Sequence, residues 1–142
     1  MERIIAFDVG KKRVGIAATD RERIIANGLT TLQVQEVLPF LEDYLTKESV
    51  ALFVVGYACN TSGGESESMK YIRPFVQSLK NKFPHIPIEW TDERFTSKIA
   101  FQTMIDGGVK KMKRQNKALI DKISATIILQ SYLENSNLKH KR

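Results

Sequence analysis

The spacing of apolar residues changes period along the chain, and each change marks an element. Residues 4 to 9, Ile-Ile-Ala-Phe-Asp-Val, are apolar up to one carboxylate and lead into Gly10, the pattern of a buried strand. Alternation sets Ile4, Ala6 and Asp8 on one face of that strand and Ile5, Phe7 and Val9 on the other. Arg13 to Thr19 predicts a second strand, and the tight connection Gly10-Lys11-Lys12 predicts an antiparallel hairpin. After the turn Asp20-Arg21-Glu22, Ile24 to Leu29 predicts a third strand and completes a meander. From Gln35 to Lys47 the period is helical through Val37, Leu38, Leu41, Tyr44 and Leu45, with Pro39 in the first turn, where a missing amide is tolerated. Ala51 to Gly56 is a continuous apolar run, as in a central parallel strand.

Beyond the polar loop from Tyr57 to Gly64, Ser66 to Phe83 predicts a helix through Met69, Ile72, Phe75, Val76 and Leu79, and Pro74 is expected to kink it or delay its start. Pro87 to Thr91 predicts a short strand running into Asp92-Glu93-Arg94. A helix is expected from Ser97, capped by Thr96, to the stop at Gly107-Gly108. The last helix, Lys117 to Glu134, is apolar around most of its circumference and should pack on the sheet. This order predicts an α/β fold: a mixed five-stranded sheet in the order 3-2-1-4-5, its first three strands antiparallel, flanked by helices. One domain is expected over residues 1–138, followed by a basic tail, 139–142, expected to be disordered.

Composition narrows the classes. A chain of 142 residues, 42% hydrophobic, supports one core and is short for two domains. There is no 18-residue apolar span to cross a membrane, and the first residues enter a strand pattern without the apolar core of a secretory signal. Cys59 has no second cysteine to pair with, so the cytoplasm is the expected compartment. His85 and His140 lie far apart and away from Cys59, which argues against zinc. The net charge of +6 points to a polyanionic partner, although an ordinary basic protein has the same balance.

Asp8 is the residue that calls for chemistry. A lone charge at the end of an apolar strand is costly unless a metal, a cation or a polar cleft compensates it. In the predicted sheet the first, fourth and fifth strands are parallel, so Asp8, the loop after Gly56 and Glu93 emerge at one carboxyl-terminal edge, where open α/β sheets place ligands. Asp121 shares a side of the last helix with Ser124, Ala125 and Ile128, and the small residues there allow a close approach to the sheet. Each acid also has a plainer reading: a turn residue for Asp8, a solvated cluster for Glu93, an ion pair with Lys117 for Asp121. Converging, they form a hard oxygen site for Mg²⁺ or Mn²⁺, one ion or two ions roughly 4 Å apart, of the kind that hydrolyses phosphodiesters.

Four segments, in this order and spacing, resemble the YqgF (RuvX) family of ribonuclease H-like proteins. They are Phe7-Asp8-Val9-Gly10-Lys11-Lys12-Arg13-Val14-Gly15, Val54-Val55-Gly56 with Asn60 and Gly63, Asp92-Glu93-Arg94-Phe95-Thr96-Ser97, and Asp121-Lys122-Ile123-Ser124-Ala125 with Ile127-Ile128-Leu129. Members of that family are described as Holliday junction resolvases or as nucleases that process the 5′ end of pre-16S ribosomal RNA. The resemblance spans nearly the whole chain and implies that Asp8, Glu93 and Asp121 correspond to the family's metal-binding acidic triad. Tyr57-Ala58 stands where the family has Leu-Pro, and Ser62 where it often has an acid.

Two basic segments flank the acids: Lys11, Lys12 and Arg13 in the first hairpin, and Lys110, Lys111, Lys113, Arg114 and Lys117 between the last two helices. Both are candidates, with Asn60 and Arg94, for holding a nucleic-acid backbone, and neither interleaves aromatic residues. The expected activity is metal-dependent hydrolysis of structured nucleic acid by a monomer or homodimer, and the resemblance implies foremost the 5′-end processing of pre-16S ribosomal RNA. Its rivals are a Holliday junction endonuclease, a non-catalytic RNA- or ribosome-binding module, and an actin-like or sugar-kinase-like nucleotide binder, which normally needs two such domains.

Overall fold

The computed structural model of the chain describes residues 2–20, 26–57, 69–92 and 117–140. Its strands are β1 (Arg3–Val9), β2 (Arg13–Thr19), β3 (Ala26–Gln33), β4 (Val50–Tyr57) and β5 (Ile88–Asp92). Its helices are α1 (Val37–Lys47), α2 (Met69–Lys82) and α3 (Lys117–His140), with a 3-10 turn at Val34–Glu36. The sheet has the predicted order β3-β2-β1-β4-β5. β1 is antiparallel to β2, and β2 to β3, while β4 is parallel to both β1 and β5. This is the ribonuclease H-like arrangement.

Strand alternation sorts the core into two layers. Ile5, Phe7 and Val9 of β1 join Val14, Ile16, Phe53 and Val55 on the face covered by α1 and α2. There the phenyl rings meet edge to face, with centroids 5.4 Å apart for Phe7 and Phe53 and 5.5 Å for Phe7 and Phe75. Ile4, Ala6, Ala17 and Val54 form the other face, closed by Ala125, Ile128, Leu129 and Leu133 of α3. Away from the carboxyl-terminal edge, Arg3 ties β1 to its neighbours: its guanidinium meets Glu48 at 3.1 Å and donates to the Thr19 carbonyl at 2.9 Å.

Several boundaries differ from the sequence expectation. β3, expected to end at Leu29, runs to Gln33, because β2 supplies partners to Thr30, Thr31 and Leu32. The register slips between Ile16 and Ala17, whose partners are Thr30 and Gly28, so Leu29 is the extra residue of a bulge and is exposed. The first helix begins at Val37, since residues 34–36 wind as the tighter 3-10 turn, in which Glu36 Oε1 accepts the backbone N–H of Gln33 at 2.9 Å. α2 is continuous through Pro74. The ring lies on the exposed side, and the carbonyl it leaves without a helical partner belongs to exposed Lys70, where water can serve it. α3 extends past Glu134 to His140, so Lys139 and His140 of the expected tail belong to the helix. The expected helix from Ser97 to Gly108 lies outside the described residues. No helix among the described residues is long and apolar enough to cross a membrane.

Candidate active site

Asp8 is the second-to-last residue of β1, at the carboxyl-terminal edge of the sheet. It is partly exposed, whereas Ile4 and Ala6 on the same face are 5% and 0% exposed. Its antiparallel partner is Gly15. On the other side Phe7 pairs with Val55, which brings the next residue of β4, Gly56, to the level of Asp8. Beyond the glycines stand Thr31, paired with Gly15, and Thr91, paired with Gly56. One row across the sheet therefore reads Thr31, Gly15, Asp8, Gly56, Thr91. Directly opposed side chains sit about 5 Å apart, and at this level neither neighbouring strand sets a side chain of its own beside the carboxylate. The cradle suits a cation that keeps several of its waters, and a hard carboxylate oxygen suits Mg²⁺ or Mn²⁺.

Asp121 lies in the first turns of α3, four residues ahead of buried Ala125 and seven ahead of buried Ile128. The next residue, Lys122, fixes its level. A Cβ built on Gly28 would lie 2.7 Å from Lys122 Cγ and 3.0 Å from Thr126 Oγ1, so the helix rests on a strand surface kept bare by glycine. Gly28 pairs with Ala17 and Ala17 with Ala6, two residues before Asp8, which is about 7 Å along the strand. The helix that carries Asp121 in its first turns thus packs on the face that carries Asp8.

Glu93 lies outside the described residues, although β5 leads to it: Asp92 pairs with Tyr57, one residue past the Asp8 row. Among the described residues no three histidine, cysteine or acidic side chains form a group able to hold a metal. Asn60, Arg94, Lys110, Lys111, Lys113 and Arg114 also lie outside them, as do Ala58 and Ser62, and Lys117 is the first residue of α3.

The first basic segment is placed at the same edge. Gly10 donates its N–H to the Arg13 carbonyl at 2.8 Å, and a Cβ on Gly10 would sit 2.8 Å from that same oxygen. Any larger residue would open the hairpin, so glycine keeps Lys11 and Lys12 tight against the end of β1. Both lysines are exposed, and with Arg13, Gln33, Val34 and Gln35 they line a cavity of about 430 Å³. Sequence reasoning misses the glutamines at this edge, because it stops β3 short of them. The glycine row is legible in principle: Gly15 and Gly56 sit at period-two positions that reach the level of Asp8.

A family model described as RuvX, Holliday junction resolvase, matches residues 2–135. A protein of Phocaeicola vulgatus named "Putative pre-16S rRNA nuclease" is 56% identical over 135 residues, covering 95% of this chain and 97% of that one. A protein of the same name from Flavobacterium psychrophilum is 56% identical over 133 residues, covering 94% and 97%. Among solved structures, T. thermophilus RuvC in complex with a Holliday junction substrate superposes with a TM-score of 0.55 at 12% identity, covering 90% of this chain and 92% of that one. Fowlpox virus resolvase bound to Holliday junction DNA gives 0.50 at 13% identity, covering 93% and 99%. At these identities the two structures speak for the fold alone. The sequence matches carry more, and they establish that the chain belongs to the RuvX family.

Proposed function

We propose that the chain is a divalent-metal-dependent nuclease that trims the 5′ end of pre-16S ribosomal RNA in the cytoplasm. The observation that carries the reading is the Asp8 row, a carboxylate with glycine on both neighbouring strands, on the sheet face that α3 covers. The names of the relatives supply the RNA substrate. Asp8, Glu93 and Asp121 would hold Mg²⁺ or Mn²⁺, one ion or two. When bound, the metal supplies a water acidified toward hydroxide and offsets charge on the phosphoryl oxygens.

The chain's own residues do the rest. β1 is paired on both sides, so Asp8 is held in place before any substrate arrives. Lys11, Lys12 and Arg13 bind backbone phosphates beside the acids and offset the repulsion between carboxylates and substrate. Asn60, Arg94 and the basic stretch from Lys110 to Lys117 extend that binding surface.

The second reading is cleavage of a four-way DNA junction, favoured by the description of the matching family model. Symmetric cutting of a junction would call for a two-fold dimer. One experiment separates the readings. Purified protein is offered precursor ribosomal RNA and a synthetic four-way junction, with Mg²⁺ or Mn²⁺ and with chelator, beside folded Asp8→Asn and Asp121→Asn variants. The RNA reading expects metal-dependent trimming of the precursor, lost in both variants. Cleavage of the junction alone would replace it with the resolvase reading. Binding without cleavage under every condition would leave a non-catalytic RNA-binding module.

A further inference from the structure

A second cavity adjoins the basic hairpin. It also measures about 430 Å³ and lies between the 3-10 turn with the start of α1 and the first part of α2, lined by Val34, Gln35, Leu38, Lys70, Tyr71 and Pro74 among others. Val34 and Gln35 border both cavities, so the two lie side by side and together make up one surface track. β3 runs parallel to β1, and therefore Gln33, the 3-10 turn and the start of α1 sit at the same sheet edge as Asp8. The track starts at Lys11 and Lys12 beside Asp8, passes the exposed amides of Gln33 and Gln35, which bond each other at 2.6 Å, and ends against Tyr71 and Pro74.

Its chemistry is graded. The hairpin end carries Lys11, Lys12 and Arg13, whereas the far end is mainly apolar and aromatic, with exposed Lys70 as its cation among the described residues. Among the described residues no carboxylate lines either cavity. Glu36, which directly follows Gln35, turns back to accept the Gln33 amide at 2.9 Å. A polyanion with apolar faces fits such a path. Paired bases keep their faces stacked inside the helix, so a tyrosine-walled cavity of this size is open only to a base that is unpaired.

We propose that this track holds an unpaired extension of the nucleic-acid substrate, its phosphates on Lys11, Lys12 and Lys70 and a base against Tyr71 and Pro74. The inference rests on the nuclease reading above and narrows its substrate to a structured nucleic acid with a single-stranded flank.

The test uses the full chain in the Asp8→Asn background, with two fluorescent RNA hairpins, one blunt and one carrying a short unpaired adenosine extension. Affinities are read by anisotropy over a range of salt. The extended hairpin should bind about tenfold more tightly than the blunt one, as expected for one stacked base. Tyr71→Leu, which keeps the apolar body, should bring the ratio of the two affinities close to one. Lys70→Ala, at an exposed position, should lower the salt slope for the extended hairpin by about 0.7 and so tests the track even if Tyr71→Leu folds poorly. An undiminished ratio in folded Tyr71→Leu together with an unchanged slope in Lys70→Ala would overturn the proposal. Equal affinity of the unsubstituted track for both hairpins would overturn it while leaving the nuclease reading standing. Failure to bind any nucleic acid would overturn both.

Discussion

Replacing Gly28 by alanine probes how closely α3 must sit on the sheet. The added Cβ would be 2.7 Å from Lys122 Cγ, 3.2 Å from Lys122 Cδ and 3.0 Å from Thr126 Oγ1. Carbon atoms in good contact are about 3.5–4.0 Å apart, so either the helix lifts by about 1 Å or the Lys122 stem swings aside. Thr126 has little freedom to yield, because its hydroxyl donates to the Lys122 carbonyl at 2.9 Å. Overpacking of this kind costs about 1–3 kcal/mol. Gly→Ala returns about 0.4–1 kcal/mol by restricting the unfolded chain. The net destabilisation should be about 1–2 kcal/mol, or a melting temperature lower by about 3–7 °C for a domain of this size.

Urea unfolding of Gly28→Ala, Lys122→Ala and the double variant gives the decisive number. Truncating the lysine stem removes both Cγ and Cδ from the path of the new methyl, so the double variant should be more stable than the sum of the singles by about 1 kcal/mol. Because Lys122 adjoins Asp121, the role proposed for Asp121 predicts that Gly28→Ala also slows cleavage, by up to about 100-fold for a 1 Å displacement. Strict additivity in the cycle, or a Gly28→Ala protein as stable and active as the parent, would refute the close-packing argument.

Three further outcomes follow from the same structure. Gly15→Ala puts a methyl beside Asp8 and should cut metal-dependent cleavage at least about tenfold with the fold intact by circular dichroism; full activity would mean that the open flank is irrelevant to the site. Lys12→Ala should weaken RNA binding and lower the salt slope by about 0.7–0.9 for each phosphate that the lysine neutralises, whereas an unchanged slope would remove the hairpin from the interface. The Tyr44 phenol is held above its ordinary 10.0 chiefly by burial, with Arg3 opposing. The folded state keeps that proton where the unfolded chain gives it up, so stability should fall as pH rises past 10, and Tyr44→Phe should flatten this part of the urea-derived profile.

Most of the architecture is legible in the sequence because it follows from local periodicity. The alternation in β1 separates Ile4, Ala6 and Asp8 from Ile5, Phe7 and Val9, and the apolar members of those two sets do enter different layers. The nearly all-round apolar pattern of the last helix likewise leads to its packing on the sheet. Local rules fail where a partner strand overrides them. Leu29 looks like the end of β3, yet β2 accepts it as the extra residue of a bulge and continues the pairing for four more residues, through Gln33. Pro74 looks like a break, yet it faces solvent, where its cost is small.

Strand order and the face on which Asp8 stands follow from the amino-acid sequence alone, because side-chain period and chain reversal are properties of neighbouring residues. The level at which strands align is not local. That Gly15 and Gly56 flank Asp8, that α3 rests on Gly28, and that Gln33 joins Lys12 at the edge are set by the folded chain as a whole. Each depends on register between segments far apart in the chain, which side-chain packing sets and no single segment encodes.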